Sequence, residues 1–230
     1  MTVSSRNQIL ATIAKSLSDK DISGEDRLAV VDRRISARQT NTVPARAQLG
    51  LEDRIDLFVT EAERVDATVS RLSAPNDLPK AVAAYLADND LPPRIMAAPD
   101  PLLKTVPWSQ QQSLSVTFGP TSGGDLVGLS VAFAGVAETG TLSLHSGPES
   151  PTTLNFLPDY HLVVLPTWRL FGTYEDAWAA LRGTGNGAMP RTVNWITGPS
   201  RTADIEQTLL MGAHGPRSLH IFIYNDKENS

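Results

Sequence analysis

Two short stretches hold the residues best suited to chemistry. The first, "ITGPSRTADIE" (residues 196–206), is an apolar run that stops at Gly198 and Pro199, followed by Ser200, Arg201 and Thr202 and then two acids. Gly198 permits close backbone approach. If a helix opens here, its free N–H groups and positive dipole end favour an anion. Arg201 adds a forked donor suited to carboxylate or phosphate. The same residues also make a helix cap, through Ser200, Thr202 or Asp204, and Asp204 with Gln207 resembles a capping box. Asp204 and Glu206 would then satisfy the dipole, so spacing alone favours the cap.

The second stretch is "AETGT" (residues 137–141), a tight turn between two strand-like runs. Glu138, beside Thr139, Gly140 and Thr141, could serve there as nucleophile or general base. A solvated turn carboxylate is the plainer reading and the favoured one. The histidines are His145, His161, His214 and His220, and their spacing matches no metal-ligand signature. His145 and His220 read as structural, while His161 and His214 stay open. His214, in "GAHGP", follows the expected helix and should therefore lie at the sheet end opposite Arg201. Phosphate-loop, nucleophile-elbow and H-E-x-x-H motifs are all missing. "GTGNG" follows a helix pattern rather than a strand and opens no helix, so it is not read as a dinucleotide loop.

These residues need elements to position them. Ile9, Leu10, Ile13 and Leu17 predict a helix over residues 4–17, and residues 18–50 read as an extended arm. Leu51, Ile55, Phe58, Ala62, Val65, Val69 and Leu72 step by four and three, predicting one long helix. It would either pack on its own sheet, the favoured reading, or pair with a second copy as a homodimer. Residues 77–89 predict another helix, and "RIMAAP" and "SLSVTFG" short buried strands. Residues 123–147 read as strand, sharp turn, strand. "TTLNFLP" is a short helix or turn, "HLVVLP" a strand, "YEDAWAALR" a helix and residues 183–190 a loop. "VNWIT", "TADIEQTLLMGAHG" and "SLHIFIYN" then read as strand, helix, strand. In the last of these Leu219, Ile221 and Ile223 face one way, and His220, Phe222 and Tyr224 the other, as in an interior parallel strand. The alternation predicts an α/β domain over residues 51–230, preceded by a helical arm over residues 1–50.

Composition narrows the function. With 230 residues and 41% of them hydrophobic, the chain can bury one substantial core. A net charge of −5 without a basic block argues against nucleic-acid binding. With no cysteine, a disulfide framework or thiolate-ligated cluster in this chain is excluded. No apolar run approaches the roughly 20 residues of a membrane span, which leaves a cytoplasmic protein as the expectation.

"AETGTLSL", "LPDYHLVVL" and "ITGPSRTADIEQTLLMGAHGPRSLHIFIYN", in that order, resemble the lactate-utilisation protein C family, which carries the LUD domain. The resemblance is close over residues 125–225. It implies a three-layer α/β sandwich with a mostly parallel sheet, akin to the NagB/RpiA/CoA-transferase group. It also implies a part in oxidising L-lactate with partner proteins that carry the iron–sulfur clusters, so no cofactor is expected in this chain. Glu138 resembles the nucleophilic glutamate of related CoA-transferases, which keeps a free-standing transferase-like or isomerase-like enzyme as the alternative. The resemblance singles out Glu138, Thr139, Gly140, Thr141, Gly198, Ser200, Arg201 and Thr202, with His161 and His214, as candidates to hold a small anionic metabolite.

Overall fold

The computed structural model describes residues 5–18, 24–40, 42–184, 189–205 and 208–225. The chain divides into two compact units, residues 1–42 and 43–230. The first carries α1 (Ser5–Ser18) and α2 (Gly24–Ala37). The expected extended arm is therefore helical over much of its length: Leu28, Val31 and Ile35 recur at helical spacing, a pattern too short to stand out among the neighbouring Asp and Arg residues. These three side chains are exposed, as are Ile9, Leu10, Ile13 and Leu17 of α1.

The second unit contains α3 (Leu51–Glu63), β1 (Thr68–Leu72), α4 (Leu78–Asp88), β2 (Arg94–Ala97), α5 (Pro101–Thr105) and β3 (Ser115–Phe118). It continues with β4 (Val127–Val131), β5 (Ala134–Val136), β6 (Thr141–His145), β7 (Tyr160–Pro166), β8 (Leu170–Phe171) and α6 (Tyr174–Gly183). The last strands are β9 (Val193–Ile196), β10 (Arg201–Ile205), β11 (Thr208–Met211) and β12 (Ser218–Tyr224).

Six strands form a parallel sheet in the order β1-β12-β7-β4-β2-β3. β12 lies inside it, and its alternation is as expected. Leu219, Ile221 and Ile223 join a cluster with Ile55, Phe58 and Ala62 of α3. Phe222 and Tyr224 join the opposite cluster with Leu78, Val82 and Leu86 of α4. Each large apolar side chain so buried contributes about 1.5–3 kcal/mol, which is why a strand covered on both faces needs apolar residues at nearly every position. A second sheet, β8-β5-β6-β9, packs on the α3 side, and its far face carries Ala134 and Val136 against Ala177 of α6. The result is the expected α/β architecture, a mostly parallel sheet with helices on both sides.

Three local expectations change. The helix predicted over residues 51–72 ends at Glu63, because Asp66 adopts a left-handed φ of 65° and the chain turns into β1. Val69 and Leu72 are thus strand residues on opposite clusters, and the seam residues Ile55, Phe58 and Ala62 are buried in the chain's own core rather than free to pair with a second copy. β3 pairs only with β2 at the sheet edge, so its Ser115 and Phe118 are exposed where a buried strand was expected. The predicted helix after Thr202 is instead the antiparallel hairpin β10–β11. Glu206 and Gln207, and with them the capping box, lie outside the described residues.

Candidate functional site

Both candidate stretches are glycine turns pressed against the end of α3. Gly140 has a φ of +63°, and a Cβ there would sit 2.3 Å from the Ala62 nitrogen. Gly198 has a φ of +72°, and a Cβ there would sit 2.2 Å from the Val65 carbonyl oxygen. Only glycine combines a left-handed backbone with so close an approach. The turns are joined by a hydrogen bond of 2.7 Å between the Thr141 and Thr197 hydroxyls.

In the first turn Glu138 is nearly buried, and its Oε1 accepts from the Tyr174 N–H at 3.0 Å. That N–H opens α6, whose N-cap Thr173 also accepts from Asp176. The anion at a helix N-terminus that residues 196–206 suggested therefore exists elsewhere, and it is Glu138 itself. Arg46 holds the same residue from the other side, donating from Nη2 to the Glu138 carbonyl at 2.6 Å. Thr139, Thr141 and Tyr174 share their hydroxyls within 2.7–3.0 Å.

The second turn is held by backbone bonds that no helix would make. Ser200 N–H donates to the Pro216 carbonyl at 2.8 Å, Gly212 N–H donates to the Ser200 carbonyl at 2.9 Å, and His214 N–H donates to Ser200 Oγ at 3.3 Å. The hairpin returns the chain to its starting point, so His214 lies beside Ser200 and not at the opposite sheet end. Arg201 points elsewhere, donating from Nη1 to Asp66 Oδ2 at 2.8 Å. Thr202 is paired with Leu210 in the hairpin. With no helix following Gly198, neither the cap nor the dipole-based anion site applies to this loop.

The structure thus gathers Gly198, Ser200, His214 and His161 around one cavity of about 160 Å³, between the start of β7 and the end of β9. Glu138, Thr139, Gly140, Thr141, Arg201 and Thr202 do not line it. Its apolar walls include Phe156, Trp195, Ile196 and Leu219. On its floor His161 Nε2 lies 3.2 Å from Ser130 Oγ, which donates to Asn155 Oδ1 at 3.3 Å. His161 and Asn155 are each 1% exposed, and His161 Nδ1 and Asn155 Nδ2 have no partner among the described residues. Burial pushes the His161 pKa down to about 3, so the ring is neutral. His220 lies on the other face of the sheet, near Tyr85 and Phe222, where burial lowers it to about 4. Among the described residues no group of three His, Asp or Glu could hold a metal ion, and no helix is long and apolar enough to cross a membrane.

With this geometry in place, comparison with known proteins gives it a context. Residues 125–224 match the family model of the LUD domain. An uncharacterized protein of Neisseria meningitidis serogroup B is 46% identical to this chain over 94 residues, which are 41% of this chain and 40% of that protein. A lactate utilization protein C of Shouchella clausii is 34% identical over 102 residues, 44% of each chain. Another, of Exiguobacterium, is 29% identical over 146 residues, 63% of this chain and 62% of the relative. The chain spans about half the length of the curated relatives it matches. A crystal structure of a DUF162 family protein from Deinococcus radiodurans superposes with a TM-score of 0.57 at 21% identity, covering 76% of this chain and 99% of that one. At that identity the likeness speaks to the fold alone.

The LUD segment supplies the whole cavity wall and both glycine turns. The supports beneath them, α3 with Asp66 and the Arg46 tether, precede it in the chain. Sequence reasoning missed Asn155, Ser130 and Trp195. The available signal was a polar residue inside an otherwise apolar run, Ser130 in "VGLSVAF", which a buried strand retains only with hydrogen-bond partners.

Proposed function

We propose that this chain is a component of an L-lactate oxidation system, working in the cytoplasm with partner proteins that carry iron–sulfur clusters. The observation that carries the reading is the similarity of the LUD segment to several lactate utilization protein C sequences. Those clusters would sit on the partners, since this chain has no cysteine to bind one. A free-standing transferase built on Glu138 has less support. The carboxylate is 7% exposed and already accepts the first N–H of α6, a cap it would have to leave before attacking a substrate.

Deleting the gene for this chain in its host provides the test. Growth on L-lactate should fail while growth on pyruvate continues, and re-expression of the chain should restore it. Unimpaired growth on L-lactate as sole carbon source would overturn the reading.

A further inference from the structure

We propose that the open edge of β9 is a docking site for an extended segment of another protein, which adds to the β8-β5-β6-β9 sheet as a further strand and sets uncharged, apolar side chains into two clefts. The inference rests on the geometry around β9 and is independent of the lactate reading.

β9 is the last strand of its sheet and pairs with β6 alone. Ser146 N–H donates to the Thr192 carbonyl at 2.9 Å, and the register then turns the N–H and C=O groups of Asn194 and Ile196 toward β6 as well. In an antiparallel ladder the residues between them point the opposite way. Val193 and Trp195 thus present their N–H and C=O groups along the free edge, and these have no backbone partner among the described residues. Such a row is a template for strand addition, in which the backbone supplies affinity and alternate side chains supply specificity.

The surroundings decide what kind of strand fits. Two clefts, of about 160 Å³ and 240 Å³, lie along β9, one reaching Ile196 and Gly198 and the other Thr192 and Asn194. Phe156 lines both. Thr192, Asn194 and Ile196 share one face of β9, so one alternate set of side chains on an added strand meets both clefts. Residues four apart on that strand, separated by about 13 Å at ~3.3 Å per residue, enter the two clefts, and the residue midway rests on Phe156. Phe156 and Leu157, 42% and 48% exposed, are then covered. No Asp, Glu, Lys or Arg lines either cleft, so a charge placed there loses its hydration without gaining a counter-ion. The charged groups stand at the two ends. Arg191 is exposed beside Thr192, and His214 is exposed near Arg217, which donates to Tyr160 and faces Asp159. A carboxylate on the segment is therefore accommodated outside the clefts but not within them. The occupant is a lone segment rather than a second copy's β9. All four residues of β9 are half-buried despite the missing neighbour, whereas β3, an edge of the parallel sheet, is mostly exposed. The β9 edge is recessed beside Phe156, and two recessed edges cannot meet.

The probe is a seven-residue peptide, acetylated and amidated, with leucine at its second and sixth positions, valine at its fourth and threonine elsewhere. Titrated through the millimolar range into the ¹⁵N-labelled full chain, it should shift the Val193 and Trp195 amides saturably and slow their hydrogen exchange at least tenfold. Exchange at Asn194, already bonded to β6, should stay as it was. Methylating alternate peptide nitrogens separates strand addition from loose apolar contact. One alternate set should abolish binding and the other should spare it, because only every second N–H of an added strand faces β9. Lysine at the second and sixth positions should weaken binding at least tenfold, a test that leaves the chain itself unaltered. Phe156→Glu should do the same from the protein side. No saturable shift, equal loss from both methylated sets, or undiminished binding of the lysine peptide would each overturn the proposal. So would protection of the Val193 and Trp195 amides on concentrating the chain alone, since a second copy would then occupy the edge. Growth on L-lactate bears on none of these outcomes.

Discussion

Around Gly140, the carboxylate of Glu138 caps α6, its carbonyl takes the Arg46 guanidinium, and three hydroxyls close on one another. Around Gly198, a few residues along the same end of α3, the backbone is equally well held by Ser200, Gly212 and Pro216, yet His161 Nδ1 and Asn155 Nδ2 beside it are buried without a partner among the described residues. Buried polar groups are nearly always paired in folded proteins. A turn whose polar atoms are engaged is doing a structural job, whatever its residue types suggest. A site that leaves buried polar atoms unmatched carries a cost that the first turn does not. Glu138, the candidate nucleophile, belongs to the first kind, and His161, whose role the spacing left open, belongs to the second.

What the two turns share is the strongest constraint on either. Gly140→Ala and Gly198→Ala should each lower stability by about 2–5 kcal/mol, combining about 1–2 kcal/mol for a left-handed Ala with about 1–3 kcal/mol for overpacking. The contacts at 2.3 Å and 2.2 Å are to backbone, which cannot swing aside. Urea midpoints would check this. A change below 1 kcal/mol at Gly198 alone would show that the cavity loop is the softer of the two, and would sharpen the contrast.

Acid separates the regions next. His161 and His220 are held neutral in the fold, at about 3 and about 4, below an unfolded value near 6.5. Between those limits the unfolded chain binds more protons, so stability is full above pH ~6.5 and falls as the pH drops. At pH 5 each ring should withdraw on the order of 2 kcal/mol, at about 1.36 kcal/mol per pH unit. Stability against pH, measured by urea unfolding, should lose about half of this slope in His161→Gln. An unchanged slope would mean that His161 reaches a partner or solvent and that the cavity floor is not dry.

The parallel sheet was legible because its code is local. Alternation in "SLHIFIYN" places Leu219 and Phe222 on opposite faces whatever surrounds them, and both clusters follow. Two segments were not legible, and each for a physical reason. Val69 and Leu72 continue the helical spacing of α3, but the left-handed Asp66 breaks the helix before reaching them, and nothing in the spacing announces that turn. Thr202 to Met211 carry good helix-start chemistry, yet the bonds that decide for a hairpin, Gly212 to Ser200 and Ser200 to Pro216, join residues twelve and sixteen positions apart. Strand formation depends on such context far more than helix formation does. The cavity was illegible for the same reason, since Asn155, Ser130 and His161 meet only after the sheet is assembled.

The smallest effects distinguish the two charged residues among the candidates that the resemblance singles out. Glu138→Ala should destabilise the fold by about 1–2 kcal/mol, because a buried carboxylate bound to the first N–H of α6 is both a cap and a dipole partner. Arg201→Ala should change stability by less than about 1 kcal/mol, because its pair with Asp66 has side chains 34% and 58% exposed and is screened by water and salt. Asp66→Ala is a poorer partner for the comparison, since Asp66 also holds a left-handed backbone that Ala tolerates badly. Asp66→Asn keeps that conformation and removes only the charge. It should match Arg201→Ala within error and add nothing to it in the double variant. If Arg201→Ala instead cost as much as Glu138→Ala, the guanidinium would be holding the Gly198 turn as firmly as Glu138 holds α6, and both turns would be structural.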